Sequence, residues 1–113
     1  MDLFGMSNFD NYEDRKVANT TVIANGKSAE IDTCRVMDTS QPYETGVHHP
    51  DYNENKWIIV EQYDTEYAAQ VGHDKWVGIM ENPPIELVDV SDSSAALLAN
   101  AFGAENTFKR KES

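Results

Sequence analysis

The dipeptide Asn25-Gly26 constrains this chain more than any other pair of residues. It sits in "ANGK" between "RKVANTTVI" and "SAEIDTCRVM", two stretches rich in β-branched residues. Asn and Gly both tolerate the positive φ that a type I′ turn demands, so the segment predicts a two-stranded antiparallel hairpin. With Asn25 and Gly26 as the loop, Val22 stands opposite Ala29 and Thr20 opposite Ile31, which makes one modestly apolar face. Thr21, Glu30, Asn19 and Asp32 fall on the other, as a solvated face should.

Beyond the hairpin, "QPYETGVHHPDYNENKW", residues 41–57, reads as a long loop between strands. "KWIIVEQY", residues 56–63, follows as a strand with apolar residues on both sides, the pattern of a central strand. Asp64 or Thr65 then caps a helix in which Ala68, Gly72, Trp76, Ile79 and Met80 share one stripe. Gly72 lowers helix propensity by roughly 1 kcal/mol against Ala, so its presence points to a close approach. Pro83-Pro84 ends the helix. "IELVDV" reads as a short edge strand, and residues 93–102 as a serine-capped helix closed by Gly103. The expected fold is therefore α+β: a small, mainly antiparallel sheet with one long helix on a face and a short C-terminal helix. The expected organisation is an N-terminal arm over 1–14, a single domain over 15–103 and a polar tail over 104–113, within the span that one core serves in a chain of 113 residues.

Charge narrows the function. Twenty Asp and Glu against nine Lys and Arg leave a net charge of -11, which argues against binding to phosphate backbones, since that binding rests on cationic neutralisation. Direct nucleic-acid binding is not expected, and without a long apolar run neither is a membrane span. The single cysteine, Cys34, excludes an internal disulfide and reads as a buried structural thiol in a reducing compartment. His48, His49, Asp51 and His73 are the residues that could gather around a metal, but His-His-Pro has no recognised ligand spacing, so no metal and no cofactor are expected. Glu44 with Glu61 could do acid/base work if one were desolvated, yet among twenty acids coincidental pairs are common. No enzyme is expected.

Two readings of residues 41–57 remain. Tyr43, His48, Tyr52 and Trp57 could stack on a flat ligand while Glu44, Thr45 and Asn53 supply hydrogen bonds. The alternative is a long loop pinned by its own aromatics. On the helix, Trp76 reads as core and His73 as a flank residue that could join the same ligand or partner surface. Phe4, Phe9 and Tyr12, spaced by small and polar residues, suit an arm that docks on another subunit.

The succession "PYETGVHHPDYN", "WIIVEQYDTEYAAQVGHDKWVGIM" and "LVDV" resembles a family of small proteins encoded by tailed bacteriophages. The likeness runs from about Ile31 to Val90. It rests on Tyr43, Glu44, Thr45, His48, Pro50, Tyr52, Asn53, Asp64, Thr65, Gly72, His73 and Trp76, and it implies a phage origin without naming a reaction. The expected role is a non-enzymatic subunit, a minor virion or accessory protein in the host cytoplasm or the particle. Its partners would be other phage structural proteins or a host protein, within an oligomer or larger assembly. The rival is an anti-defence factor that sequesters a nucleotide-like ligand, or blocks a host protein, through residues 41–57.

Overall fold

The Asn25-Gly26 turn forms as its chemistry requires, with φ of 55° and 79° at its two residues. In a computed structural model that describes residues 12–112, it joins β1, Lys16–Ala24, to β2, Lys27–Arg35. The register places Val22 opposite Ala29 and Thr20 opposite Ile31. Ala29, Ile31 and Thr33 are buried while Ser28, Glu30, Asp32 and Cys34 between them are not, so the hairpin has one dry face. A single turn of helix, α1, Tyr12–Arg15, precedes it. Of the expected docking arm, Phe4 and Phe9 lie outside the described residues and Tyr12 opens α1.

The long loop is not a loop. Tyr43–His48 forms β3, which pairs along its whole length with β2 and also with β4, Ile58–Tyr63. Glycine at 46 and the histidine at 48 weaken the β pattern of this stretch, but Thr45 and Val47 are both buried on the side that α2 covers, and that burial decides its state. The four strands form an antiparallel sheet in the order β1-β2-β3-β4. β4 is therefore an edge strand and not the expected central one. Its apolar residues on both sides have two causes. Ile58 and Val60 enter the core from one side of the strand, and a register irregularity at Val60, between Ile59 and Glu61, turns Glu61 to that same side, where it bonds Trp76. The 89–92 segment runs beside the free edge, where Val90 N–H donates to the Ile59 carbonyl (2.8 Å) and Ile59 N–H to Asp89 Oδ2 (3.2 Å).

Helix α2, Glu66–Met80, lies across the sheet. Thr65 is its cap, with Oγ1 accepting from Ala68 N at 3.0 Å. The face turned to the sheet carries Ala69, Gly72, His73 and Met80, all buried, with Trp76, Val77 and Ile79 partly so. The apolar stripe is thus rotated by one residue from the Ala68 position expected, and His73, read as a flank residue, is inside. Gly72 does mark a close approach: a Cβ there would stand 2.2 Å from the Tyr63 ring.

"IELVDV" contributes β5, Glu86–Val88, but not to the main sheet. It pairs with β6, Thr107–Lys109, in a separate two-stranded ribbon. The polar tail expected from residue 104 onward therefore holds a strand. Phe108 stands opposite Leu87 and packs on the core, which a single aromatic among polar neighbours did not announce. Between β5 and β6 runs α3, Ser94–Ala101, capped by Ser93 and closed by Gly103 at φ 93°.

Candidate functional site

Because β3 is a strand, its side chains alternate, and the residues singled out in 41–57 separate accordingly. Thr45 faces α2. Glu44 and His48 face the opposite side, the one that α2 leaves uncovered. Tyr43, half-buried, belongs by alternation with Thr45. Tyr52 belongs to neither face: it is fully buried, donates its hydroxyl to the Pro84 carbonyl, and meets His49 edge to face at 5.1 Å between ring centroids. Burial holds the His49 imidazole below its ordinary pKa, and its Nδ1 accepts from Asp51 N (3.0 Å). Of the four rings expected to wall a flat ligand, only His48 and Trp57 come together.

Beneath α2 the sequence pattern concealed a continuous chain of hydrogen bonds. Thr20 Oγ1 meets His73 Nε2 at 2.9 Å, and Thr33 Oγ1 meets His73 Nδ1 at 2.7 Å. Thr33 and Thr45 share a bond of 2.6 Å, and Thr45 reaches Tyr63 OH at 3.0 Å. Tyr63 OH continues to Glu61 Oε1 at 3.2 Å, where Trp76 Nε1 (2.8 Å) and Lys75 Nζ (2.6 Å) also arrive.

An ionised carboxylate only accepts, and this fixes every proton in the chain. Tyr63 must donate to Glu61, so it accepts from Thr45. Thr45 accepts from Thr33, which accepts from His73 Nδ1–H. Nε2 is left to accept from Thr20. The chain thus puts a proton on His73 Nδ1, and the lowered pKa of the ring favours the neutral form, in which Nε2 accepts from Thr20. Burial depresses its pKa, only partly opposed by the charges of Asp74 and Asp32. Burial likewise pushes the Tyr63 hydroxyl up to about 12. At the far end burial works to raise Glu61, but the bonds from Lys75 and Trp76 outweigh it and hold the carboxyl below its ordinary range. A fully satisfied polar chain of this kind specifies one docking of helix on sheet. Thr20, Thr33 and Tyr63 are the members that the sequence reading missed, and Glu61 was expected only as a possible partner of Glu44; a threonine at the helix-facing position of each of three adjacent strands was the available signal.

The uncovered face carries different chemistry. Trp57 lies flat over Gly46, where a Cβ would come within 3.1 Å of its ring, and stacks on His48 with centroids 5.1 Å apart and planes 22° from parallel. His48 Nε2–H donates to the Asn55 carbonyl (2.9 Å), and Asn53 Nδ2 to the Trp57 carbonyl (3.3 Å). Together they fasten a turn in which Asn53, Glu54 and Asn55 all have positive φ, 52° to 65°. Asn tolerates that region; Glu54 is held there at a cost of about 1–2 kcal/mol. His48, Asn53 and Trp57 are thus brought together as a corner.

Farther along the same face stands Glu44, opposite Cys34 on β2 and Gln62 on β4. Burial, then the charges of Asp89 and Asp92, push the Glu44 carboxyl up to about 6 despite the opposing Arg15. Cys34 is not the core thiol expected. It is half-exposed on this face, and burial followed by the charges of Asp32 and Glu44 holds it protonated, with a pKa of about 11. Asn19 Nδ2 bridges Glu30 (2.9 Å) and Asp32 (2.8 Å) on the neighbouring strand. Glu44 and Glu61 occupy opposite faces and do not form a carboxylate pair. His48 and His73 are likewise on opposite faces, and among the described residues no group of three or more His, Cys, Asp or Glu could hold a metal ion.

The fold and face define an α+β domain with one sheet face sealed by a helix and the other left acidic and aromatic. No family model, no curated protein and no solved structure matches the chain.

Proposed function

We propose that this chain is a non-enzymatic bacteriophage protein, a minor virion or accessory subunit, and that the sheet face opposite α2 is its contact surface. The phage setting rests on the resemblance carried by the motifs between Ile31 and Val90. The contact reading is carried by Glu44. A half-buried carboxylate whose pKa is raised to about 6 by burial and the charges of Asp89 and Asp92, with Arg15 only partly opposing them, costs the isolated fold stability, and a further cationic group from a partner would offset that cost. Glu30, Asp32 and the His48–Trp57 stack extend the same face, so the fitting partner is a basic protein surface with an apolar or aromatic side chain for Trp57. The rival reading, nucleotide capture by residues 41–57, needed Tyr43, His48, Tyr52 and Trp57 around one volume; His48 and Trp57 stack on each other, but Tyr52 is buried against Pro84 and His49 and Tyr43 alternates to the other face.

Mass spectrometry of purified particles of the phage encoding this chain tests the reading. Stoichiometric presence is expected, with loss from the particle when Glu30→Lys and Trp57→Ala are introduced together into a protein that still folds. Absence of the wild-type chain from particles, together with no basic partner recovered from infected cells, overturns it.

A further inference from the structure

The turn from His49 to Tyr52 ties distant parts of the chain together. Asp51 takes Lys27, beside the hairpin turn, on both carboxylate oxygens (2.9 and 2.8 Å), and its carbonyl accepts from Lys111 N (2.7 Å), just beyond β6. Tyr52 donates its hydroxyl to the Pro84 carbonyl at the entry to β5. Arg110 spans the same place, with N donating to the Ile85 carbonyl (2.7 Å) and Nη1 to the Pro83 carbonyl (2.6 Å). Inside the turn, Tyr52 N donates to the His49 carbonyl (3.2 Å) and Asp51 N to His49 Nδ1 (3.0 Å). The second of these bonds exists only while Nδ1 carries no proton.

The surroundings oppose that proton. His49 is 3% exposed, and Tyr52 meets its ring edge on, so a proton on Nδ1 would face the Asp51 N–H, donor against donor. The charged and titratable groups about the ring are Lys27 from the hairpin, Arg110 from the end of the ribbon, His48 beside it and the carboxylate of Asp51. That one carboxylate is already held by Lys27 on both oxygens.

We infer that His49 is a proton-operated latch for the β5–β6 ribbon: protonation breaks the 49–52 turn, and with it the hold of Asp51 on Lys111 and of Tyr52 on Pro84, so that residues 107–112 come away while the main sheet stays folded. The ribbon is the part that yields because two three-residue strands hold little stability of their own, whereas β2 is paired on both sides. Burial, opposed by Asp51 and reinforced by Lys27, Arg110 and His48, keeps the His49 pKa below the ordinary 6.5. The latch is therefore fully closed above 6.5 and opens as the pH falls from there through the folded value.

This device uses neither the phage setting nor the acidic face, so its failure leaves the reading above untouched. Hydrogen exchange of single amides in the full chain, followed by NMR from about pH 8 to 5, tests it. Protection of the Arg110 and Lys111 amides is expected to fall below pH 6.5 by up to about tenfold per pH unit and to level off at the midpoint of the His49 ring titration, while the amides of β2 hold. His49→Asn keeps an acceptor for Asp51 N, since an Asn side chain bonds the backbone two residues on, but it does not titrate. Its ribbon should keep the same protection at every pH, although Glu44 and His73 are both still present. A wild type whose Arg110 and Lys111 stay protected at pH 5 overturns the inference. So does an equal acid loss in His49→Asn, or a loss in β2 that matches the loss in the ribbon. Should His49→Asn fail to fold, the wild type alone decides: protection that levels off away from the His49 midpoint overturns the latch, and coincidence of the two supports it.

Discussion

Two glycines of α2 offer an experiment with its own control. Gly78 has nothing within 4 Å of where a Cβ would stand, whereas at Gly72 that atom would lie 2.2 Å from both Cε1 and the hydroxyl oxygen of Tyr63. Both sit inside one helix, so replacing either by alanine recovers about 1 kcal/mol of helix propensity. At Gly78 nothing opposes it, and Gly78→Ala should stabilise by about that amount. At Gly72 the ring must retreat by more than 1 Å to reach an ordinary contact of about 3.5 Å. Overpacking of this kind costs about 1–3 kcal/mol. Moving the ring also stretches the bonds of its hydroxyl to Thr45 and Glu61, and one lost bond costs about 1 kcal/mol more. The net for Gly72→Ala is destabilisation by about 1–3 kcal/mol. Urea unfolding followed by circular dichroism measures both, as opposite displacements of the midpoint at constant slope. If Gly72→Ala proves as stable as wild type, Tyr63 does not sit under the helix and the hydrogen-bond chain described above falls with it.

Glu44 and His73 supply the remaining tests. Because folding raises the Glu44 pKa from 4.5 to about 6, the fold favours its protonated form; the stability involved is present below pH 4.5 and lost as pH rises through 6. Glu44→Gln should therefore gain about 1 kcal/mol over wild type at pH 8, after allowance for solvent screening, and nothing at pH 4.5; urea midpoints showing an equal difference at both pH values would refute the assignment. His73 acts in the opposite sense. Its folded pKa lies below the ordinary 6.5, so its contribution is complete above 6.5 and declines as acidification goes from there through the depressed folded value, a loss that His49 shares and that Glu44→Gln should make easier to see. Nitrogen-15 NMR should find His73 neutral and protonated on Nδ1 at pH 7, and an Nε2–H tautomer would mean that the chain of bonds does not end on an ionised Glu61.

Local chemistry made a large part of the fold readable. The hairpin, its turn residues and its pairing of Val22 with Ala29 follow from φ preferences and period-two alternation. The two longer helices follow from Thr65 and Ser93 as caps and from Gly103 at the close. Such signals act over a few residues and need no partner. Tyr43–His48 escaped because its claim to be a strand rests on pairing with β2 and β4 on both sides, contacts that a weakly β-prone stretch with a glycine does not advertise. β6 escaped for a similar reason, since three residues become a strand only where Leu87 waits opposite Phe108.

The site divides along the same line. Residue types alone marked Glu44, His48, Asn53, Trp57 and His73 as chemistry-bearing, and nearness in sequence suggested a single cluster. Strand alternation overrode that nearness by sending Glu44 and Thr45 to opposite faces of one sheet. It also brought His73 to threonines 40 and 53 residues away, a meeting set by how α2 crosses the strands. Sequence determined which groups this protein can use and which short segments hold their shape alone; tertiary structure decided which groups meet, because hydrogen bonds and charges act through space and only the packed sheet and helix set those distances.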